Sequence, residues 1–273
     1  MRLGRIPYIN CYPVYGAIDR GLVEVPAELV TGTAADLNDL LAAGQLDLSV
    51  ISAVEYARDA AAYHLLPELA ISCDGPVHSV KLFCKRPVTE LEGSTVLRTS
   101  SSRTSILLLE LLCRHRWQVS PRFATVRAEP ADLGSLATFP HEAVLVIGDA
   151  ALLLAASEAY PFQVDLGAAW KEWTGLPFVF AVWAARRTAD QAQVRAVHSR
   201  LLESREWGMA HLEQLSDQAW ATTGIPRAVC RAYLDDLDWG FSYRHLAGLT
   251  DFFRRLAQDG LVPDGSLSFI TAA

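Results

Sequence analysis

Lysine is almost missing from this chain: Lys81, Lys85 and Lys171 are the only three among 24 basic residues, set against 31 acidic ones. The resulting net charge of −7 removes the electrostatic footprint of a general nucleic-acid or anionic-membrane binder, so any anion taken up must be held locally. The five cysteines (Cys11, Cys73, Cys84, Cys113, Cys230) are odd in number and contain no C-x-x-C pair, which argues against a disulfide framework or a zinc ribbon. The seven histidines show no H-E-x-x-H or other ligand spacing, so no metal is expected. No G-x-G-x-x-G follows a strand and no G-x-x-x-x-G-K-S/T occurs, which leaves nucleotide cofactors without a motif. Long apolar runs are lacking too. Ile106 to Cys113 is broken by Glu110, and Ala143 to Ala156 by Gly148 and Asp149, well short of the roughly 20 residues of a membrane span. The opening Met1 to Asn10 has neither the apolar core nor the cleavage site of a signal peptide. The expectation is a soluble, cytoplasmic protein without cofactor, its oligomeric state open, a homo-oligomer included.

What is present is apolar and ordered: 273 residues, 51 % hydrophobic, are enough for one large domain or two smaller ones. Short strand-like runs alternate with helical patterns, the signature of an α/β architecture. Leu3 to Pro7, Glu28 to Thr31 and Leu46 to Ile51 read as strands. Thr33 with Asp36 and Ser52 with Glu55 have capping-box spacing, the second opening a helix through Tyr56 to Tyr63. Val80 to Cys84 and Phe178 to Trp183 read as strands bracketing a second α/β set, in which Thr95 to Arg98 and Ala143 to Ile147 are strands. From Ala189 the pattern is helical and should pack on the first unit. The expected organisation is residues 1–86 plus 184–273 as one lobe and 87–183 as the other, around a hinged cleft.

At Asn10, Ser52, the run Thr99 to Ser105, and Gly148-Asp149, small polar residues stand where a strand ends and a helix begins. In open α/β sheets such junctions gather where ligands bind. In the serine-rich run, a helix start and the hydroxyls of Ser102, Thr104 and Ser105 could hold a carboxylate or phosphate without lysine. The alternative is that they only cap a buried helix. Asp149 reads more readily as an N-cap than as a catalytic carboxylate. Ser79, after the turn Asp74 to His78, would point off a strand edge at the hinge, but no G-x-S-x-G context supports a serine hydrolase. The aromatic stretch Trp170 to Phe178 is expected to close over a flat ligand, to fill the interdomain core, or to do both.

Taken in order, Arg5 to Pro13, Gly75 to Val80, Ser100 to Ser105, Ile147 to Leu152 and Trp173 to Ala181 resemble the chorismate dehydratase family of the futalosine route to menaquinone. The resemblance runs from the N-terminus to about Trp183; the helical tail adds little. It implies a type II periplasmic-binding-protein-like fold, with two α/β lobes joined by two crossing strands around a cleft, and conversion of chorismate to 3-[(1-carboxyvinyl)oxy]benzoate with loss of water. By the same resemblance, Asn10 and Ser79 contact the reacting part of the substrate. Ser52, Ser102, Arg103, Thr104, Ser105, Gly148, Asp149, Pro177 and Phe178 line the substrate site, Thr104 and Ser105 taking a carboxylate. No histidine occupies these motif positions, so the enolpyruvyl carboxylate of the substrate is the expected base. The sister family that makes dihydroxynaphthoate has a Pro-Asn-Asp run where this chain has Tyr8 to Pro13. A cytoplasmic module that binds a cyclic acid unchanged is the non-enzyme alternative.

Overall fold

The computed structural model describes residues 1–263 and 265–270. The first stretch of chain runs β1 (Arg2–Arg5), α1 (Tyr12–Asp19), β2 (Glu28–Thr31), α2 (Ala34–Ala42), β3 (Leu48–Ser52), α3 (Ala53–Arg58) and β4 (Tyr63–Cys73). It continues through β5 (Val80–Cys84), β6 (Thr95–Thr99), α4 (Arg103–Leu111), β7 (Arg122–Val126), β8 (Ala143–Ile147), α5 (Gly148–Leu154), β9 (Phe162–Asp165) and α6 (Leu166–Thr174). It returns along β10 (Phe178–Arg186) and ends in four helices: α7 (Gln191–Ala210), α8 (Leu212–Thr223), α9 (Arg227–Asp236) and α10 (Tyr243–Gln258).

These strands form two mixed sheets, in the orders β2-β1-β3-β10-β4 and β7-β6-β8-β5-β9. In each, four strands run in one direction and one, β10 in the first sheet and β5 in the second, runs against them. β3 is buried at every position and β8 at all but its last, as central strands covered on both faces require. The chain passes between the sheets twice, from β4 to β5 and from α6 to β10. The two apolar runs that bracket the second α/β set therefore exchange places. Val80–Cys84, grouped by its position with the first lobe, pairs within the second sheet, whereas Phe178–Arg186 pairs within the first. An apolar run announces a strand but not the sheet that receives it.

Two local expectations fail for identifiable reasons. The helix placed over Tyr56 to Tyr63 spans Ala53–Arg58, and Tyr63–Cys73 is a long strand whose pairing with β10 is irregular near Pro67 and Glu68, where Glu68 has φ +60°. Proline and a positive φ interrupt the alternation that would have announced it. At the start of α3, Ser52 forms no side-chain cap; the Ser52 N–H donates to Asn38 Oδ1 (3.1 Å) and Asn38 Nδ2 to the Ser52 hydroxyl (3.3 Å). The box at Thr33 and Asp36 does form.

The helical tail packs on the first sheet, as its pattern implies. α7 lies so close to α1 that a Cβ at Gly208 would stand 2.1 Å from the Pro13 carbonyl oxygen. Asp238 pairs with Ser72, and Leu65 bonds to Ser268 and Ile270, so the outer edge of β4 is covered. All five cysteines are buried free thiols, and burial pushes Cys11, Cys84 and Cys113 up to about 12.

Candidate active site

Asn10 sits in a short 3-10 turn, Ile9–Cys11, just after β1. Three groups hold that turn. The Ile9 N–H donates to Asp149 Oδ1 (3.2 Å), the indole Nε1 of Trp239 donates to the Asn10 carbonyl (2.6 Å), and the Cys11 N–H donates to the Tyr8 carbonyl (3.0 Å). With the backbone pinned, the side-chain oxygen of Asn10 is buried and has no hydrogen-bond partner among the described residues. A buried acceptor left open costs about 1–3 kcal/mol.

Asp149 is not an N-cap. It lies in the first turn of α5, reaches across to the backbone of the first lobe and is buried. Burial is the main force raising its carboxyl to about 6; the Ile9 N–H opposes the shift and the Glu129 carboxylate adds to it. Gly148 precedes it at φ +62°, where a Cβ would stand 3.3 Å from the Tyr8 ring. The Gly148 N–H donates to the Ser79 carbonyl (2.7 Å), which joins this junction to the hinge.

Ser79 is buried, not displayed on a strand edge; its hydroxyl meets the phenolic OH of Tyr233, 2.8 Å away, on α9 of the tail. Asn10, Ser79, Gly148 and Asp149 thus form one linked group contributed by both sheets. The distant segments meet because each lies at a strand end: Asn10 after β1, Ser79 before β5, and Gly148 with Asp149 after β8.

The serine-rich run is largely occupied with itself and with the opposite lobe. Ser102 is the N-cap of α4, its hydroxyl accepting from the Ser105 N–H (3.2 Å) and lying 2.9 Å from the Ser105 hydroxyl. Thr104 Oγ1 accepts from the Val54 N–H (3.1 Å) at the start of α3. The Arg103 guanidinium is paired with Glu55 and Asp39, both in the first lobe. Ser101 donates to Glu129, which also accepts from the Tyr8 hydroxyl (3.1 Å). Burial, with the nearby Glu129 carboxylate, holds the Tyr8 phenol above its usual range.

Pro177 and Phe178 join an aromatic core. The Pro177 carbonyl accepts from Trp170 Nε1 (3.2 Å), and the Phe178 ring packs edge-on to Phe180, Phe252 and Trp170 at 4.6, 4.9 and 5.2 Å. These contacts show the core-filling role, one of the two expected for this stretch. Asn38, Glu129, Tyr233 and Trp239 touch the site residues but carried no local signal of it, whereas Tyr8 lies within the Arg5 to Pro13 motif. Among the described residues, no three His, Cys, Asp or Glu side chains converge to hold a metal ion. Among them too, no helix is long and apolar enough to cross a membrane.

Residues 1–258 match a protein family described as menaquinone biosynthesis. The chain belongs to the menaquinone biosynthesis family. Two Thermus thermophilus relatives share its length. One named chorismate dehydratase is 32 % identical over 260 residues, covering 88 % of each chain. Another, named 1,4-dihydroxy-6-naphtoate synthase, is 27 % identical over 256 residues, covering 90 % of this chain and 85 % of the relative. The crystal structure of the periplasmic aliphatic sulphonate binding protein of Escherichia coli superposes with a TM-score of 0.65 at 14 % identity, covering 100 % of this chain and 94 % of that one. This member of the menaquinone biosynthesis family is therefore built on the two-lobed fold of periplasmic binding proteins, as its sequence implied.

Proposed function

We propose that this enzyme of menaquinone biosynthesis is a hydro-lyase that removes water from chorismate to give 3-[(1-carboxyvinyl)oxy]benzoate. The carrying observation is the 32 % identity, sustained over 88 % of both chains, with a chorismate dehydratase.

The chemistry asks for orientation more than for a strong protein base. The hydrogen on the ring carbon bearing the enolpyruvyl ether is acidified through the conjugated ring carboxylate. Its removal and loss of the neighbouring hydroxyl leave an aromatic ring, which supplies the driving force. The enzyme must grip two carboxylates, assist the departing hydroxyl and exclude water. In the proposed arrangement the open oxygen of Asn10 accepts the hydrogen of that hydroxyl, and the Ser79 hydroxyl donates to its oxygen. Thr104 accepts from the Val54 backbone, which leaves its own hydrogen free for a carboxylate at the α4 N-terminus, where Ser102, Arg103 and Ser105 also lie. Ser52 stands on the facing wall, and Gly148 and Asp149 hold the turn that presents Asn10. The enolpyruvyl carboxylate of the substrate serves as the base. Bridges between the lobes, Arg103 to Glu55 and Ile9 to Asp149 among them, hold the two sides of the proposed site together.

The test is incubation of the purified protein with chorismate, without added metal or nucleotide, followed by chromatography and mass spectrometry. An aromatic product one water lighter supports the reading. Unchanged chorismate that still raises the melting temperature favours a binding module. Absence of both effects directs attention to the sister activity, which the 27 % identical relative supports.

A further inference from the structure

The helical tail, which the motifs left without a role, reaches the hinge at two points on one face of α9. Tyr233 meets the Ser79 hydroxyl at 2.8 Å, and Asp236, one turn later, meets His78 Nε2 at 2.7 Å. The hinge turn they hold is unusual. His78 has φ +60°, sparsely populated for a residue with a Cβ, and the Ser79 N–H bonds back to the Val77 carbonyl two residues earlier (2.7 Å). On its other side the Asp165 carboxylate accepts from the Val77 N–H (3.0 Å) and the His78 N–H (2.7 Å). A strained turn clamped from both sides fixes the Ser79 backbone, and the Gly148 N–H secures its carbonyl.

With the backbone fixed and Oγ held 2.8 Å from Tyr233, the freedom that remains is the direction of the Ser79 hydroxyl hydrogen. Two hydroxyls 2.8 Å apart share a single hydrogen, and a phenol is the stronger donor while an alkyl hydroxyl is the better acceptor. Tyr233 is fully buried, and burial keeps its phenol protonated far above the usual range; among the described residues Ser79 Oγ is its hydrogen-bond partner. With Tyr233 donating, the Ser79 hydrogen is left for another acceptor, and Ser79 is tied through the Gly148 N–H and the Asp149–Ile9 bond to the turn that carries Asn10.

We infer that Tyr233 is a positioning residue for the reaction: by donating to Ser79 Oγ it commits that oxygen as acceptor and turns the Ser79 hydrogen toward the hydroxyl leaving the substrate. The inference rests on the role proposed above for Ser79. It gives the C-terminal helices a function beyond packing, since α9 sets the direction of a hydrogen bond in the cleft.

The experiment compares Tyr233→Phe, Ser79→Ala and the double variant in steady-state kinetics on chorismate, with melting temperatures for all three. Tyr233→Phe keeps the ring and removes only the donor. The expected result is a kcat lower by about tenfold, the size of one aligned hydrogen bond, with KM within about twofold and an unshifted melting temperature. In the Ser79→Ala background the same change has no further effect on kcat, because the oxygen it orients is gone. Wild-type kcat in Tyr233→Phe beside an impaired Ser79→Ala overturns the inference and leaves the site reading intact. So does full additivity in the double variant, or a kcat loss accompanied by a large fall in melting temperature, which would mark a structural role. Full turnover in Ser79→Ala overturns the site reading itself, and the role of Tyr233 falls with it.

Discussion

After β6 the chain sets out hydroxyls at nearly every position from Thr99 to Ser105; after β8 it sets out only Gly148 and Asp149. By composition the first junction is the richer binding site. In the folded chain its groups largely serve one another: Ser102 caps α4, Ser101 binds Glu129, Thr104 caps the facing helix and Arg103 is paired twice across the lobes. The second junction is sparse and unsettled. Its carboxyl is buried and raised, its glycine is left-handed, and the turn it supports carries an acceptor without a partner among the described residues. The number of polar groups at a junction therefore says less about ligand chemistry than whether the fold has already satisfied them. A satisfied group contributes to the stability of the fold, and an unsatisfied one is the group the proposed function uses.

The sharpest way to break this contrast is Asn10→Ala. Removing one aligned polar group from a reacting centre costs about 100- to 1,000-fold in kcat, and the melting temperature should hold or rise because the open buried acceptor goes with it. A loss below about tenfold would shift the chemistry to the α4 junction.

Asp149→Asn comes next. Its carboxyl is raised from an ordinary 3.8 to about 6, so the folded protein holds that proton more tightly than the unfolded chain. The contribution of the neutral group is fully present below about 4 and is lost as pH rises through about 6. The amide of the variant would keep the acceptor for the Ile9 N–H without the charge, so the protein should gain up to about 3 kcal/mol at about pH 7.5 and nothing at about pH 4. Denaturant titrations at both pH values check it, and a gain independent of pH would refute the buried-charge account.

Gly148→Ala should destabilise by about 1–2 kcal/mol, from the positive φ and the approach of Tyr8. Its crystal structure should show the Tyr8 ring displaced. At the other junction, Ser102→Ala should cost about 1 kcal/mol by loss of the α4 cap. If its kcat fell as far as that of Asn10→Ala, the two junctions would have to be regarded as equals.

Much was readable in one dimension because it depends on near neighbours. The apolar runs of β3, β5 and β8, the Thr33 capping box and the helical character of the tail follow from side-chain period and caps, which act within a few residues. Ordered motifs gave the family, since each segment at a strand end keeps its local form. Other features were hidden for an equally physical reason. Ser52 binds Asn38 instead of capping its helix, and Asp149 takes the Ile9 N–H 140 residues away instead of its own helix start, because a partner supplied by the fold competes with the local one.

The alternation of strands and helices, the net negative charge and the placement of Asn10, Ser79 and Asp149 at strand ends were all written in the order of the residues. Which strands share a sheet, and the membership of Pro177 and Phe178 in an aromatic core, came from folding in three dimensions. Folding also seated Tyr233, from a helix 154 residues further along the chain, against Ser79. Hydrogen bonds and packing act over a few ångströms of space, and distance along the chain does not fix distance in the fold.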